Sequence, residues 1–354
     1  MSDLPDAPSG DCMRGPRYCP LLSLRETELA VQVLKYEFMQ ALSKKLALLP
    51  VVAPRFVAVD SGLQDYLDGV MQPVTFFTRA FPERPVQVVH SLAKWKREAL
   101  NTYGLSAREG VVTDMVAIRK DEELDPTHSL LVDQWDWEQK ITPEDRTVDY
   151  LHCTVHKVYD ALLETERILC ERFPKLSPLL PSTITCVHSQ DLADRWPELP
   201  PPLREQKAVE EYGAIFVRGI GSKLSDGVSH GVRSWDYDDF TTVGADGMKG
   251  LNGDIVVLDP TSGKALELSS MGIRVDADAM RQQAAILGVP FEHMESPFHQ
   301  GVLNGSLPSC IGGGIGQSRV AMLFLRKIHI GEVQCSVWPK EMVNEYKEKG
   351  CTLL

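Results

Sequence analysis

The sequence has no CxxC pair; its eight cysteines are scattered along 354 residues. A chain of that length can bury a core large enough to fold without covalent staples, so reduced thiols and a cytoplasmic location are expected. No apolar run approaches the length of a bilayer span, and no membrane partner is expected. The first twenty residues lack both a basic start and an apolar centre. With Asp3, Pro5, Asp6, Pro8, Gly10 and Asp11, residues 1–22 read as a disordered tail rather than an export or transit signal, and residues 23–354 as one domain. An excess of positive charge is missing too: the net charge of −12 argues against a general affinity for polyanions, although a local basic cleft could still hold a nucleotide. Neither the Walker A pattern nor GxGxxG occurs, which removes the common phosphate loops. Internal repeats are also absent, as is any linker long enough to separate a pair of domains.

What is present centres on Cys310 to Leu325, CIGGGIGQSRVAMLFL. Gly312, Gly313, Gly314 and Gly316 strip Cβ atoms from a short run, so its backbone can approach a ligand or a crossing strand closely. Val320, Met322, Leu323 and Leu325 then suit a buried helix. A glycine-rich start to a helix favours anions, and a guanidinium there adds a fork for phosphate oxygens, which makes Arg319 a candidate phosphate ligand. The plainer alternative is a tight strand-to-helix turn with an exposed arginine.

Ser23 and Glu26 are spaced as a capping box before Leu34, Phe38, Leu42, Leu46 and Leu49, a long amphipathic helix ended by Pro50. Residues 51–59 read as a strand interrupted by Pro54, suited to an edge or to a symmetric dimer contact. In His90-Ser-Leu-Ala-Lys-Trp-Lys-Arg97, Ser91 resembles an N-cap, and Lys94, Lys96 and Arg97 crowd the helix end that prefers anions. Lys96 is expected to turn inward, with Lys94 and Arg97 as well placed on a solvated face. Residues 111–119 and 129–138 pattern as an antiparallel hairpin that sets Arg119 on one face with Gln134 and Asp136. A structural salt bridge is the bland reading of that group.

His152 and His156 stand one turn apart on a second long helix, residues 147–173, without the intervening glutamate of zinc proteins. Asp254 and Glu267 fall in neighbouring strands and could hold Mg²⁺ with phosphate oxygens. Strict alternation puts Glu267 and Ser269 on one side of their strand and Ser270 on the other, unless a bulge intervenes. Cys351-Thr-Leu-Leu matches a prenylation signal, although a four-residue match is cheap. Runs of strands with long helices give an α+β class, one sheet backed by helices.

A strand arginine leading into a hairpin, a strand glutamate before serines, and a glycine run ending in arginine resemble the motifs of class II aminoacyl-tRNA synthetases. The set is more similar still to the ammonia-dependent aspartate–ammonia ligase family, asparagine synthetase A. The stretches are residues 90–97, Val132-Asp-Gln-Trp-Asp-Trp-Glu138, Gly219-Ile-Gly, Lys223-Leu-Ser-Asp-Gly227, Asp236-Tyr-Asp-Asp239, Leu251-Asn-Gly-Asp254, residues 267–278 and Ile311-Gly-Gly-Gly-Ile-Gly-Gln-Ser-Arg319. The resemblance implies a homodimer on an antiparallel sheet flanked by helices, making L-asparagine, AMP and pyrophosphate from L-aspartate, ammonia and ATP, with no nucleic acid required. It places Arg119 between the α-phosphate and the activated carboxylate, and Arg319 at the distal phosphates. Asp65 and Asp238 become alternative bases for ammonium. Lys96, Gln134, Asp136, Ser270 and Arg274 become aspartate-binding residues, and Ser129, Val132, Asp254, Glu267 and Ser269 nucleotide-binding ones, with Glu267 and Asp254 also at Mg²⁺. A glutamine-using enzyme would need a cysteine after the initiator Met, where residue 2 is Ser, and a spare domain, so free ammonia is the expected donor. An aspartyl- or asparaginyl-tRNA synthetase, or an inactive amino-acid-binding paralogue, are the alternatives.

Overall fold

The computed structural model describes residues 18–67 and 69–354. Ser23 Oγ accepts the Glu26 N–H and Glu26 Oε2 accepts the Ser23 N–H, so the expected capping box opens α1 (Leu24–Leu46). The helix ends where Ala47 turns left-handed, at φ 52°. Leu49, which the spacing assigns to the helix, therefore lies in β1 (Leu48–Pro50). Short strands β2 (Phe56–Ala58), β3 (Thr75–Phe76) and β4 (Val86–Val88) follow, then α2 (Ala93–Thr102) and the hairpin β5 (Gly110–Ile118) and β6 (Leu131–Lys140). Next come α3 (Val148–Arg172), β7 (Thr185–His188), α4 (Ser189–Arg195), α5 (Pro201–Tyr212), β8 (Ala214–Arg218), β9 (Asn252–Asp259) and β10 (Lys264–Ile273). The chain finishes with α6 (Ala277–Leu287), α7 (Pro297–Leu303), β11 (Cys310–Gly316), α8 (Gln317–Phe324) and α9 (Lys340–Lys349).

The main sheet runs β1-β5-β6-β11-β10-β9-β8-β7, antiparallel throughout its middle and parallel only in the outer pairs β1/β5 and β7/β8. A small antiparallel sheet, β2-β4-β3, sits apart. This is the expected α+β architecture. Along β6 the period of two sorts the chemistry: Trp135 and Trp137 enter the main core with Phe38 and Leu42 of α1, Leu151 and Val155 of α3, and Leu323 of α8. Gln134, Asp136 and Glu138 are thereby turned to the opposite, open face. Two bulky indoles thus fix which way three polar side chains point.

Of the tail expected over residues 1–22, residues 1–17 lie outside the described residues. Residues 18–22 belong to the fold: Tyr18 Oη donates to the Arg326 carbonyl and to Glu332, and Leu22 is in the main core. Cys351 is 2% exposed, and residues 351–354 are bonded inward, so a folded chain does not offer that thiol for prenylation. His152 sets its ring edge-on to Phe216, and among the described residues no group of three or more His, Cys, Asp or Glu side chains is placed to hold a metal ion. Among them, too, no helix is long and apolar enough to cross a membrane.

Candidate active site

A cavity of about 410 Å³ lies on the open face of the sheet. Arg119 and Arg319, 200 residues apart in sequence, both line it, together with Asp65, Lys96, Ser129, Val132, Gln134, Asp136, Asp238, Glu267, Ser270 and Arg274. Its floor depends on the glycines of β11. A Cβ on Gly312 would fall on the Glu138 carboxylate, and one on Gly314 would stand 2.7 Å from Gln134 Cδ. The glycine run is therefore strand, cleared so that side chains of the neighbouring β6 can lie across it. The N-terminus of α8 is not open to a ligand as expected: the Ser318 N–H donates to Asp133 Oδ1 at 3.1 Å. Of that phosphate-binding expectation, the guanidinium of Arg319 faces the cavity, beside Gly316 and Ser318.

One end is dense with paired charge. Lys96 Nζ, 1% exposed, donates to Asp136, to the Trp137 carbonyl at 2.9 Å and to the Gly313 carbonyl at 3.2 Å. Arg274 Nε and Nη2 hold Glu138 bidentately at 2.9 and 3.0 Å, and Nη1 donates to Asp238 at 2.6 Å. Burial works to raise the Glu138 carboxyl, but Arg274 and Lys96 outweigh it and hold the group below the usual carboxylate range. Burial pushes Asp136 up despite Lys96 and Arg274, and Asp238 up despite Arg274 and Arg233. Asp136 Oδ2 is buried with no partner, and Arg274 keeps two of its five N–H groups unspent. Asp65 sits at the side, its Oδ2 accepting from Ser91 Oγ at 2.5 Å and Tyr237 Oη at 2.9 Å, its Oδ1 from the Leu67 N–H.

All three cations of residues 94–97 turn inward, not Lys96 alone. Lys94 pairs with Asp236 at 2.6 Å, and Arg97 donates to the carbonyls of Val275 and Pro308. Acceptors carried in from distant loops make these contacts, and spacing within the helix does not report them. Leu92, rather than Ser91, is the N-cap residue, and the Ser91 hydroxyl proton goes to Asp65.

The other end is loosely held. Among the described residues, Arg119 reaches only the His90 carbonyl at 3.4 Å and Glu122 at 3.8 Å, and its Nε has no partner there. Arg319 Nη2 meets His128 Nε2 at 2.9 Å, with weaker contacts to the Thr127 carbonyl and to Glu267. Their side chains are 21% and 22% exposed, against 4% for Arg274. Arg274 gives three of its five N–H groups to its own protein, while Arg119 and Arg319 are more loosely held.

A family model described as aspartate-ammonia ligase matches residues 25–350. The chain belongs to that family. It is 49% identical over 337 residues to the aspartate–ammonia ligase of Clostridium perfringens, covering 95% of this chain and 97% of that one. It is 47% identical to that of Bacillus cytotoxicus, covering 95% and 99%, and 46% identical to that of Bacteroides fragilis, covering 95% and 96%. Among solved structures the ligase is similar to the asparaginyl-tRNA synthetase of Pyrococcus horikoshii complexed with asparaginyl-adenylate, at TM-score 0.63 and 14% identity over 88% of this chain and 70% of that one. The Entamoeba histolytica asparaginyl-tRNA synthetase gives TM-score 0.61 and 13% identity over 88% and 66%. The ligase spans about two thirds of those synthetases, and the likeness shows the class II synthetase fold.

Two expected nucleotide-side residues do not line the ligase cavity. In β10, Glu267 pairs with Val256 while Ser269 pairs with Ile255, so Leu268 is an extra residue and a bulge resets the alternation. Glu267 and Ser270 thus share the cavity face. Ser269, 1% exposed and opposite the core residues Ile255 and Ile315, is turned away from any nucleotide. Asp254 is bonded by Arg233, which does line the cavity. Burial pushes the Asp254 carboxyl up to about 7 against Arg233, with repulsion from Glu267 adding to it. Of the two, Glu267 lines the cavity and is the freer carboxylate, a donor that fits a divalent cation sharing phosphate oxygens, whereas Asp254 is engaged by Arg233.

Glu138, Tyr237, Arg233 and His128 were not singled out from the sequence. The period of two through Gln134 and Asp136 pointed to Glu138. The other three sit in loops, where no periodicity speaks for them.

Proposed function

We propose that the ligase activates the side-chain carboxylate of L-aspartate with ATP and passes the resulting β-aspartyl group to ammonia, giving L-asparagine, AMP and pyrophosphate. The observation that carries this is one cavity with a charge-paired end and an end bearing two more loosely held guanidiniums. In this reading the unspent N–H groups of Arg274 take a substrate carboxylate, and the unpartnered Asp136 Oδ2 takes its ammonium. Arg119, at the loosely held end, stabilises charge as the carboxylate oxygen displaces pyrophosphate at the α-phosphorus. Arg319, propped by His128, holds the distal phosphates, and Ser129, Val132 and Ser270 border the nucleotide. Glu267 would hold Mg²⁺, which when bound neutralises phosphate charge, and Asp254 would join it only on release from Arg233.

The attacking amine must be neutral, so a base has to take a proton from ammonium. Of the two candidate carboxylates, Asp65 has its Oδ2 filled by two hydroxyl donors, whereas Asp238 Oδ2 has only Arg233 Nε nearby, at 4.0 Å. The raised pKa of Asp238 also suits proton acceptance, which favours it as the base. A homodimer is part of the reading: Val52, Phe56, Phe77 and Phe81 expose a large apolar area around the small sheet, suited to a second copy. So is a cytoplasmic location, since the described cysteines are all free.

Oxygen-18 in the aspartate β-carboxylate tests the chemistry. The label must appear in AMP, with pyrophosphate release requiring aspartate and asparagine formation requiring ammonia rather than tRNA. Label in inorganic phosphate, or turnover that needs tRNA, overturns the proposal.

A further inference from the structure

Residues 351–354 take no part in this chemistry, yet they are tied down at both ends. The Cys351 N–H donates to the Tyr346 carbonyl of α9, and the Leu354 N–H to the Gly331 carbonyl at 2.7 Å. The Leu354 main-chain oxygen accepts from the Ser336 N–H at 3.1 Å and from the indole N–H of Trp338 at 2.9 Å. Leu353 closes on Gly331 so tightly that a Cβ there would stand 3.1 Å from Leu353 Cδ2.

The segment they grip faces the cavity on its other side. Ile330 donates its N–H to the Pro126 carbonyl at 2.8 Å, Ser336 Oγ accepts from Ser129 Oγ at 2.9 Å, and Gln334 Nε2 donates to Ser318 Oγ at 3.0 Å. Pro126 belongs to the turn that Asp125 ties by accepting the N–H groups of Thr127 and His128. That turn supplies the His128 ring nitrogen and the Thr127 carbonyl that position Arg319. A continuous path of hydrogen bonds therefore leads from residues 351–354, through residues 330–336, to residues 126–129 and the guanidinium. The amino-acid end is built from α2, β6 and β10 instead.

We propose that residues 351–354 are a positioning strap for the phosphate end of the cavity, holding residues 330–336 against the 125–129 turn and so setting Arg319 for ATP. The strap rests on the reading of Arg319 as a phosphate ligand. Its signature is a split in kinetic constants that general destabilisation does not produce. In a variant ending at Gly350, KM for ATP rises about tenfold, as expected from losing two or three hydrogen bonds of modest net worth. KM for aspartate and kcat stay within about twofold. Trp338→Phe keeps the ring beside His329 but deletes the donor to Leu354, and raises KM for ATP about threefold with aspartate unaffected; it decides the matter alone if the shortened chain does not fold. Equal rises in both KM values, a fall in kcat with KM for ATP unmoved, or no change in either variant overturns the strap. Arg319→Lys separates the two claims. If it raises KM for ATP while the strap variants do not, the strap alone is lost; if it leaves KM for ATP unchanged, the assignment of Arg319 fails and the strap with it.

Discussion

Gly312 and Gly314 lie two residues apart on one strand, and alanine at each should break a different property. At position 312 the new Cβ would overlap the Glu138 carboxylate and stand 2.6 Å from the Trp137 carbonyl. Neither neighbour can yield: Glu138 is fully buried and bonded twice by Arg274, and the carbonyl is backbone that accepts from Lys96. Hydrogen bonds to charged groups are worth about 1.5–3 kcal/mol each, so losing the pair costs about 3–6 kcal/mol. Unfolding entropy of about 2.1 cal/mol/K per residue gives roughly 0.7 kcal/mol/K for 354 residues, and Tm falls by roughly 4–8 °C. At position 314 the nearest atoms all belong to the Gln134 carboxamide, the end of a flexible side chain. Gly314→Ala should therefore leave Tm within about 2 °C while pushing Gln134 into the amino-acid end. An overpacking cost of about 1–3 kcal/mol expressed there raises KM for aspartate about 5- to 100-fold. Calorimetry and steady-state kinetics on the two variants read both effects. Equal losses of Tm, an unperturbed Tm in Gly312→Ala, or an unchanged KM for aspartate in Gly314→Ala would refute the account of the glycine floor.

Asp238 accepts a proton only when ionised, and burial holds its pKa above the ordinary carboxylate range. With neutral ammonia held constant, the rate should fall as pH drops through that raised pKa; Asp238→Asn should remove this acid limb and lower kcat about 10²- to 10⁴-fold, while aspartate-dependent exchange of pyrophosphate into ATP survives. Glu267→Gln should raise the Mg²⁺ needed for half-maximal pyrophosphate exchange about tenfold or more, with KM for aspartate unchanged; an unaltered Mg²⁺ titration would remove Glu267 from the metal site. His329 is fully buried between Trp338 and Tyr346, and burial lowers its pKa to about 4. The unfolded chain binds the extra proton first, so stability is intact above the unfolded pKa of about 6.5 and is lost as pH falls toward 4, by up to about 3 kcal/mol. Urea midpoints at pH 7 and 4.5 should differ less in His329→Gln than in the parent, and a pH-independent gap between the two proteins would exclude this source.

The sequence was informative wherever one periodicity governed both packing and chemistry. Alternation along residues 111–119 and 129–138 put Arg119, Gln134 and Asp136 on one face, and they share it, because Trp135 and Trp137 have only the core to enter. It misled at Ser269, where a single extra residue inverts the pattern, and bulges leave no fixed mark in one sequence. It was silent on which cations are spent. Lys94 and Arg97 look like surface charges until loops carrying Asp236, Val275 and Pro308 close over them. Residues 351–354 match a modification signal only as a short pattern, and four residues carry no record of the Gly331 and Trp338 that hold them.

Distances rather than residue types divide the work among Arg119, Arg274 and Arg319. The amino-acid end sets two cations, Lys96 and Arg274, against three carboxylates, Asp136, Glu138 and Asp238. Burial makes full ionisation of such a set costly, so the strain falls on the members with fewer donors, and those are Asp136 and Asp238, whose pKa values rise. An incoming ammonium group relieves the imbalance, so this end favours a protonated α-amine and attracts ammonium ion beside it. The carboxylate best able to take a proton from that ion is one that the same imbalance has already made more basic. The phosphate end reverses the pattern, with Arg119 and Arg319 lightly held and exposed to anions. A substrate pair that is cationic at one extremity and polyanionic at the other therefore has one orientation of lowest energy in the cavity. Under the proposed assignment, that orientation puts the carboxylate to be activated beside Arg119.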